Sequence, residues 1–374
     1  MKDNLFKIYL HDLYHFLNFK EIELFTLTYL FLKYLQKNKR NENSERDFIL
    51  FINNGNIIEM LDKEEYAIAR MFYSTYIGYS DYKYNNERFR NYLRYLDEKN
   101  ISEALIYISK YIKSDELKIP HNFVDFIKWF IMNNTKSNNI TVLEYMGSNY
   151  DNMSILLNTL KIEEYDYVTH SYLDFYTREI LSRVVNHQNV KNYKFDFSSN
   201  SDVLLHKEFD FIYSLFPWNL IFDSNQLDRV LASYTYITND YKFIYYLYSK
   251  LKSDSYGLVF VHENILNSKK FSEDRKKFIK INAINSIIRL PKKSLDNFSG
   301  FVYLLILSKE NINLNLFDFS EFYEIKNNKV SILVDNFIDN YSTRDYKYFR
   351  EISYKELDLM NFNINFKSIF GDNK

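Results

Sequence analysis

The segment TVLEYMGSN, residues 141–149, decides the fold class because it joins a short apolar run to a turn. The apolar run predicts a buried strand, and Gly147 with its small polar neighbours predicts the turn before a helix. Similar apolar runs follow at residues 165–170, 209–215, 257–261, 285–290 and 302–308. Amphipathic helical patterns separate these runs, which indicates parallel strands joined by right-handed crossovers. We therefore predict an α/β fold with a doubly wound, mostly parallel sheet.

The region before this sheet has a different periodicity. Its apolar residues recur at the spacing of an α-helix, for example at Phe25, Tyr29, Leu32 and Leu35. We predict three parts: an all-helical N-terminal domain over residues 1–118, an α/β domain over residues 119–310, and a C-terminal extension over residues 311–374 that packs on the α/β domain.

The composition excludes several classes of function. The chain has 48 basic and 49 acidic residues, so no overall positive field attracts nucleic acid, and DNA contact requires a local patch or a partner. Cysteine is absent, which excludes disulfides and thiolate metal sites, and the seven histidines are scattered, so we predict no metal site. Charges interrupt the long apolar runs, including the N-terminal one. We therefore predict no signal peptide and no membrane span, and expect a cytoplasmic protein.

The densest basic run lies on a predicted loop and helix start and comprises Lys269, Lys270, Arg275, Lys276 and Lys277. Two interpretations stay open. In one, these side chains contact phosphate groups. In the other, they form a solvated helix face that Glu273 and Asp274 interrupt.

The predicted sheet indicates where a ligand binds, because open α/β sheets bind ligands outside the carboxyl ends of their strands. The turn containing Gly147 lies at such an end. Glycine permits the close backbone approach that an adenosyl group requires. An ordinary strand-to-helix turn also requires a glycine, so this alternative stays open.

Several segments follow one another in a recognisable order. LTYLFLKYL at residues 27–35 precedes LKIPHNFVDFIKWFI at residues 117–131. Residues 248–309 then combine a helix, a glycine, a strand, an Arg-led helix, a strand ending in Leu-Pro and a strand closing in lysine. Near the end, REISYKELDLMNFNINFKSIF contains an Asn-Ile-Asn segment followed by an aromatic residue. In this order, the segments resemble the modification subunit of type I restriction systems, an adenine-specific DNA methyltransferase family.

This resemblance implies a fold, a cofactor and partners. The α/β domain is expected to have a class I methyltransferase-like, Rossmann-like fold, and S-adenosylmethionine is the expected cofactor. DNA is an expected partner, bound directly or through a specificity subunit, and other restriction-modification subunits are further expected partners.

The segment FDFIYSLFPWNL, residues 209–220, aligns with the family's catalytic strand, which ends in Asn-Pro-Pro-Phe. Here that tetrapeptide is replaced by Leu215, Phe216, Pro217 and Trp218. In the family, the Asn side chain accepts a hydrogen bond from the exocyclic amine of adenine, and the aromatic residue stacks on the flipped base. Leu215 has no acceptor atom, so the resemblance implies that the side-chain amide contact is lost.

The cofactor positions that the resemblance implies are partly altered. Only one glycine, Gly147, follows the strand-terminal acid where the family has two, and no acid ends the second strand near Tyr172. A third acid is expected in the loop before the catalytic strand. The positions implied for the cofactor are Pro120, Glu144, Gly147, Ser148, Tyr172 and Asp196.

Three hypotheses follow from these departures. The first is a homologue of the modification subunit with weak or lost methyl transfer. The second is an active S-adenosylmethionine-dependent methyltransferase with an altered site or substrate. The third is a cofactor-free DNA-binding or scaffold protein.

Overall fold

A nine-stranded sheet is the centre of the computed structural model. The structure describes residues 26, 122–135, 139–145, 160–169, 175, 178–179, 182, 189–194, 204, 206–215, 238–295, 298–309, 311–326 and 329–371. The strands are β1 Ile140–Tyr145, β2 Ile162–Thr169, β3 Val190–Lys194, β4 Phe209–Leu215, β5 Leu251–His262, β6 Ile284–Arg289, β7 Val302–Leu307, β8 Asn313–Asp318, β9 Tyr323–Lys326, β10 Lys329–Ile332 and β11 Phe349–Ser353.

The helices of the sheet-bearing region lie before, between and after these strands. Among the described residues of this region they are α1 Phe123–Asn134, α2 Asn239–Ser249, α3 Asn264–Asn267, α4 Ser272–Lys280, α5 Val334–Thr343, α6 Tyr354–Leu359 and α7 Phe366–Phe370. None of the helices in the described part of the chain is long and apolar enough to cross a lipid bilayer.

The strand order is β11-β8-β6-β7-β5-β4-β1-β2-β3, and β9 pairs with β10 in a separate hairpin. Five neighbouring pairs are parallel and three, which involve β7 or β11, are antiparallel. The connection from β6 to β7 contains no helix among its described residues, so the chain returns alongside β6 instead of crossing over the sheet. The prediction of an α/β fold with a mostly parallel sheet is confirmed.

Helices cover both faces of the sheet. On one face, the ring of Phe123 in α1 lies 5.6 Å from that of Phe260 in β5. On the other face, the ring of Phe243 in α2 lies 5.1 Å from that of Tyr145 in β1. This arrangement is the doubly wound layering expected when crossovers alternate between the two faces.

All six predicted strands are present, and the sheet has three more. β3, β8 and β11 each contain Lys, Asn, Arg or Glu between their apolar residues, and each lies at or near one end of the strand order. Strands at the end of a sheet have fewer apolar neighbours, so their sequences give a weaker strand signal. The C-terminal segment therefore contributes two strands, β8 and β11, to the sheet itself.

Two compact units make up the chain. The first comprises Met1–Asp115 with Tyr176–Gln188, and the second comprises Glu116–Phe175 with Asn189–Lys374. In the first unit, the described residues are all helical. Most of the predicted N-terminal helical domain lies outside the described residues.

Candidate functional site

The carboxyl ends of three neighbouring strands define the candidate site. β1 lies between β4 and β2 and is parallel to both. The chain leaves β1 towards β2 on one side and returns as β4 on the other side, so the connections diverge at β1. This is a topological switch point, where open α/β sheets form a ligand-binding crevice.

Leu215 is the last residue of β4 and lies at this edge. It pairs with Phe260 in β5, and only 4% of its surface is exposed. Its side chain is part of the buried apolar core and offers neither a donor nor an acceptor. The side chain at the predicted catalytic position is therefore apolar and buried.

Glu144 lies one residue before the end of β1 and is fully buried. Tyr165 of β2 donates its hydroxyl hydrogen to Glu144 Oε2 at 2.5 Å. A buried carboxylate is costly without hydrogen bonds, and the tyrosine hydroxyl offsets part of that cost. Glu144 is thus an internal acid that a neighbouring strand orients.

Glu144 and Leu215 are on the same face of the sheet. Glu144 is in register with Tyr213 of β4, and alternate residues of a strand share a face, so Leu215 follows Tyr213 on that face. Strand geometry gives a separation of about 8 Å between their Cα atoms, from one strand spacing and two residues of rise. The fold therefore brings together the two predicted site residues that the structure describes.

The other predicted site residues lie outside the described residues. They are Pro120, Gly147, Ser148, Tyr172, Asp196, Phe216, Pro217 and Trp218. Their roles stay predictions.

A charged cluster formed by β2, β3 and the segment before β4, which we call the Lys207 cluster, was not predicted from the sequence. Lys207 Nζ lies 2.8 Å from Glu164 Oε1, 2.6 Å from Asp166 Oδ2 and 2.9 Å from the Tyr193 hydroxyl oxygen. Lys191 also donates to Glu164. The sequence shows only that Glu164 and Asp166 occupy alternate positions of one strand. Their partners Lys191 and Lys207 are distant in the sequence, so the pattern does not reveal the cluster.

The two acids of the Lys207 cluster have opposite pKa shifts. Hydrogen bonds from Lys191 and Lys207 lower the pKa of Glu164 to about 2. Burial raises the pKa of Asp166 to about 6, although Lys207 opposes this shift. Asp166 Oδ1 is buried and has no hydrogen-bond partner among the described residues, which agrees with the dominance of desolvation.

The basic run around α4 is not a uniform cationic surface. Arg275 is buried, and its guanidinium donates to the carbonyl oxygens of Phe362, Ile265 and Ser268. Asp274 is also buried and accepts from the backbone and hydroxyl of Thr238, the residue before α2. The interpretation of Arg275 as a phosphate contact is therefore wrong. Of the lysines in the run, Lys269, Lys270 and Lys277 are exposed.

Within the described part of the chain, no group of three or more metal-ligating side chains is close enough together to hold an ion.

Comparison with known proteins identifies the family to which the chain belongs. Residues 183–372 match the model of the N-6 DNA methylase family. This chain belongs to the N-6 DNA methylase family. The match covers β4 and the strands that follow it, including the position of Leu215. No curated protein matches the chain.

Solved structures similar to this family member share its fold over most of its length. The type I restriction-modification methyltransferase subunit from Streptococcus thermophilus has a TM-score of 0.68 at 12% identity, covering 97% of this chain and 98% of that chain. A structure from a study of complex assembly in a type I restriction-modification system has a TM-score of 0.64 at 9% identity, covering 96% and 88%. The type IIG restriction endonuclease BpuSI has a TM-score of 0.58 at 11% identity, covering 93% and 44%. At these identities the similarity establishes the class I methyltransferase-like fold.

Proposed function

We propose that this N-6 DNA methylase family member is a homologue of the modification subunit of a type I restriction-modification system, with weak or lost methyl transfer to adenine. The observation that carries the proposal is the buried, apolar Leu215 at the carboxyl end of β4. The resemblance implies an amide acceptor there, and leucine has none.

The expected loss of activity follows from transition-state stabilisation. An acceptor for the exocyclic amine of adenine stabilises the positive charge that develops on the nitrogen as it attacks the methyl group. By analogy with one oxyanion-hole donor, such a contact contributes about 3–4 kcal/mol, or about 10²–10³ in rate. Leu215 cannot supply this contact, so methyl transfer is expected to be slower by at least that factor.

The proposed cofactor is S-adenosylmethionine, which supplies the methyl group when bound. The described residues are compatible with it in one respect, since the carboxyl end of β1 has a buried acid, Glu144, that Tyr165 orients. With Glu144, the residues proposed to hold the cofactor are Pro120, Gly147, Ser148, Tyr172 and Asp196. The absence of a second glycine after Gly147 and of an acid at Tyr172 predicts weakened binding.

The proposed partners are DNA, contacted directly or through a specificity subunit, and other restriction-modification subunits. The proposal is supported by family membership and by the similarity of fold over nearly the whole length of the Streptococcus thermophilus subunit.

Calorimetry with S-adenosylmethionine tests the cofactor. We expect binding weaker than micromolar, because two of the family's cofactor contacts are altered. Binding at micromolar affinity or tighter contradicts this expectation and favours the alternative of an active methyltransferase with an altered site or substrate. Absence of binding at millimolar cofactor favours the alternative of a cofactor-free scaffold.

Restoring the tetrapeptide tests the proposed loss of activity. The double variant Leu215→Asn, Phe216→Pro is expected to gain adenine methylation of duplex DNA, measured as transfer of a labelled methyl group. Leu215→Ala is the matched control, because it changes packing at the same position without adding an acceptor. Equal activity in the wild type, the control and the restored variant contradicts the role assigned to Leu215.

A further inference from the structure

The loop between α5 and β11 lies at the same edge of the sheet as the candidate site. β11 is antiparallel to β8, with Phe349 in register with Phe317 near the carboxyl end of β8. The Asp318 backbone N–H donates to the Tyr348 carbonyl oxygen at 2.8 Å. β8 is parallel to β6, and two antiparallel pairings through β7 orient it like β5 and β4. The amino end of β11 and the loop before it therefore lie at the carboxyl edge.

Residues 344–350, which we call the basic–aromatic segment, read RDYKYFR. Arg344 and Lys347 are exposed, and Tyr346 is 81% exposed. Lys347 Nζ lies 4.7 Å from the centre of the Tyr348 ring. Two exposed acids lie nearby, Asp345 in the segment and Glu321 before the hairpin. The segment thus presents cations beside aromatic rings at the edge of the sheet where a ligand binds.

Arg344 has a backbone conformation that stability alone does not favour. It follows α5 with φ of 54°, in the left-handed region, and its N–H donates to the Asn340 carbonyl oxygen. Glycine is the residue that best suits this position at a helix end. An arginine here adds backbone strain, and its positive charge offsets part of that strain at the carboxyl end of the helix.

We propose that the basic–aromatic segment is a contact surface for the phosphate backbone of duplex DNA. Arg344 and Lys347 neutralise phosphates, and the Tyr346 hydroxyl donates to a phosphate oxygen. An exposed tyrosine between two cations fits a phosphodiester backbone better than an acidic peptide, because it adds an uncharged phosphate donor to the charges. This inference rests on the proposed function in one respect, namely that DNA is the substrate.

The strand order gives the position of this contact along the DNA. The segment leads into β11, and from β11 to β4 there are five strand spacings, which corresponds to about 24 Å at about 4.8 Å per spacing. At about 3.4 Å per base pair, the segment reaches phosphates about seven base pairs from a base at Leu215.

The double variant Arg344→Gly, Lys347→Gln tests the proposal. Its affinity for a labelled duplex of about 20 base pairs is measured by fluorescence anisotropy across a salt series. We expect affinity at low salt to fall at least about tenfold, and the slope of log affinity against log salt to shrink by about 0.9 per lost contact. The thermal midpoint is expected not to fall, since glycine suits the backbone of residue 344. Lys355→Gln, Lys367→Gln is the matched control, because it removes two exposed lysines from α6 and α7.

Two further measurements test the role of Tyr346 and the position of the segment along the DNA. Tyr346→Phe is expected to weaken binding by about threefold to tenfold, the loss of one hydrogen bond, with an unchanged salt slope. A duplex of about eight base pairs centred on the target base is expected to bind wild type and double variant equally, because it does not reach the segment.

Three outcomes overturn the proposal. The first is an equal loss of DNA affinity in the double variant and in the lysine control, and the second is displacement of DNA by polyglutamate at equal charge concentration. The third is failure of the wild type to bind duplex DNA at low salt. Methylation of duplex DNA by the Leu215→Asn, Phe216→Pro variant distinguishes a failure here from a failure of the proposed function, because it shows that DNA is the substrate whether or not residues 344–350 contact it.

Discussion

At the scale of single residues, the Lys207 cluster contains two carboxylates with opposite responses to pH. Glu164 is partly exposed and receives hydrogen bonds from two lysines, so its charged form is favoured. Asp166 is fully buried, and burial disfavours its charged form although it forms an ion pair with Lys207. Lys207 belongs to the segment before β4, which ends in Leu215. The cluster therefore joins that segment to β2 and β3.

Asp166→Asn is expected to change how stability depends on pH. The folded pKa of about 6 exceeds the ordinary value of 3.8, so the stabilisation from Asp166 is complete below about pH 4 and is lost as pH rises to 6. Relative to wild type, the variant should therefore gain stability between pH 4 and 6, on the order of 2–3 kcal/mol. Urea unfolding at a series of pH values measures this gain.

Glu164→Gln is the paired variant with the opposite sign. The folded pKa of about 2 lies below the ordinary value of 4.5, so this stabilisation is present above pH 4.5 and lost as pH falls to 2. The variant should be less stable than wild type above pH 4.5, and the difference in the free energy of unfolding should shrink as the pH falls towards 2. Parallel profiles for both variants would contradict the assigned pKa shifts.

Tyr165→Phe is expected to destabilise the fold by about 1–3 kcal/mol, because Glu144 loses a donor in a fully buried position. Chemical denaturation measures the difference. Tyr323→Phe serves as the control, since Tyr323 is 41% exposed on the β9–β10 hairpin. Equal effects of the two substitutions would show that the Tyr165 hydroxyl contributes nothing specific.

At the scale of elements, the C-terminal helices are attached to the sheet region through Arg275. The guanidinium Nε lies 2.6 Å from the Phe362 carbonyl oxygen, and Nη1 contacts two carbonyls before α4. Phe362 itself has φ of 54° and closes the end of α6 by donating its N–H to the Leu357 carbonyl oxygen. Arg275 thus donates a hydrogen bond to the carbonyl oxygen of a residue with a left-handed backbone conformation, 87 residues away in the sequence.

Arg275→Met should destabilise the protein by about 1–3 kcal/mol, because the Phe362 carbonyl oxygen loses the Arg275 donor while most of the apolar volume is kept. The Ile265 and Ser268 carbonyl oxygens each lose one hydrogen bond but still accept from the Tyr241 hydroxyl and the Phe271 N–H. Lys277→Met on the same helix is the control, since Lys277 is exposed. Guanidinium unfolding curves of the two variants provide the comparison. A loss below about 0.5 kcal/mol for Arg275→Met, which is ordinary for a surface substitution, would contradict the role assigned here.

At the scale of the whole molecule, the sheet does not stop at residue 310. β8 pairs with β6, and Arg289 of β6 forms a bidentate ion pair with Asp318 of β8. Buried residues of β8, such as Leu316 and Phe317, pack on the same sheet. The C-terminal extension predicted from the sequence therefore includes part of the sheet's own core.

A chain truncated after residue 310 is expected to be insoluble or to lack fixed tertiary structure, because β6 would be left with an unpaired edge and exposed apolar neighbours. A chain truncated after residue 371 keeps every described element and is the control. Soluble yield and near-ultraviolet circular dichroism report the outcome. A soluble, cooperatively unfolding chain of residues 1–310 would show that β8 and β11 are dispensable.

The sequence by itself determined the class of fold, because a strand that apolar neighbours cover on both sides needs a continuous apolar run, as in residues 302–307. It also determined the family through the order of its segments, and it identified Leu215 as the residue at the end of β4. These features depend on local pattern and order along the chain.

The tertiary structure alone decided which polar residues are internal. Arg275 belonged to a basic run in the sequence, yet its donors contact carbonyls from distant segments. Asp166 had no visible partner, yet Lys207 lies against it and burial raises its pKa. The physical reason is that desolvation and hydrogen bonding depend on neighbours in space, which a linear pattern does not specify.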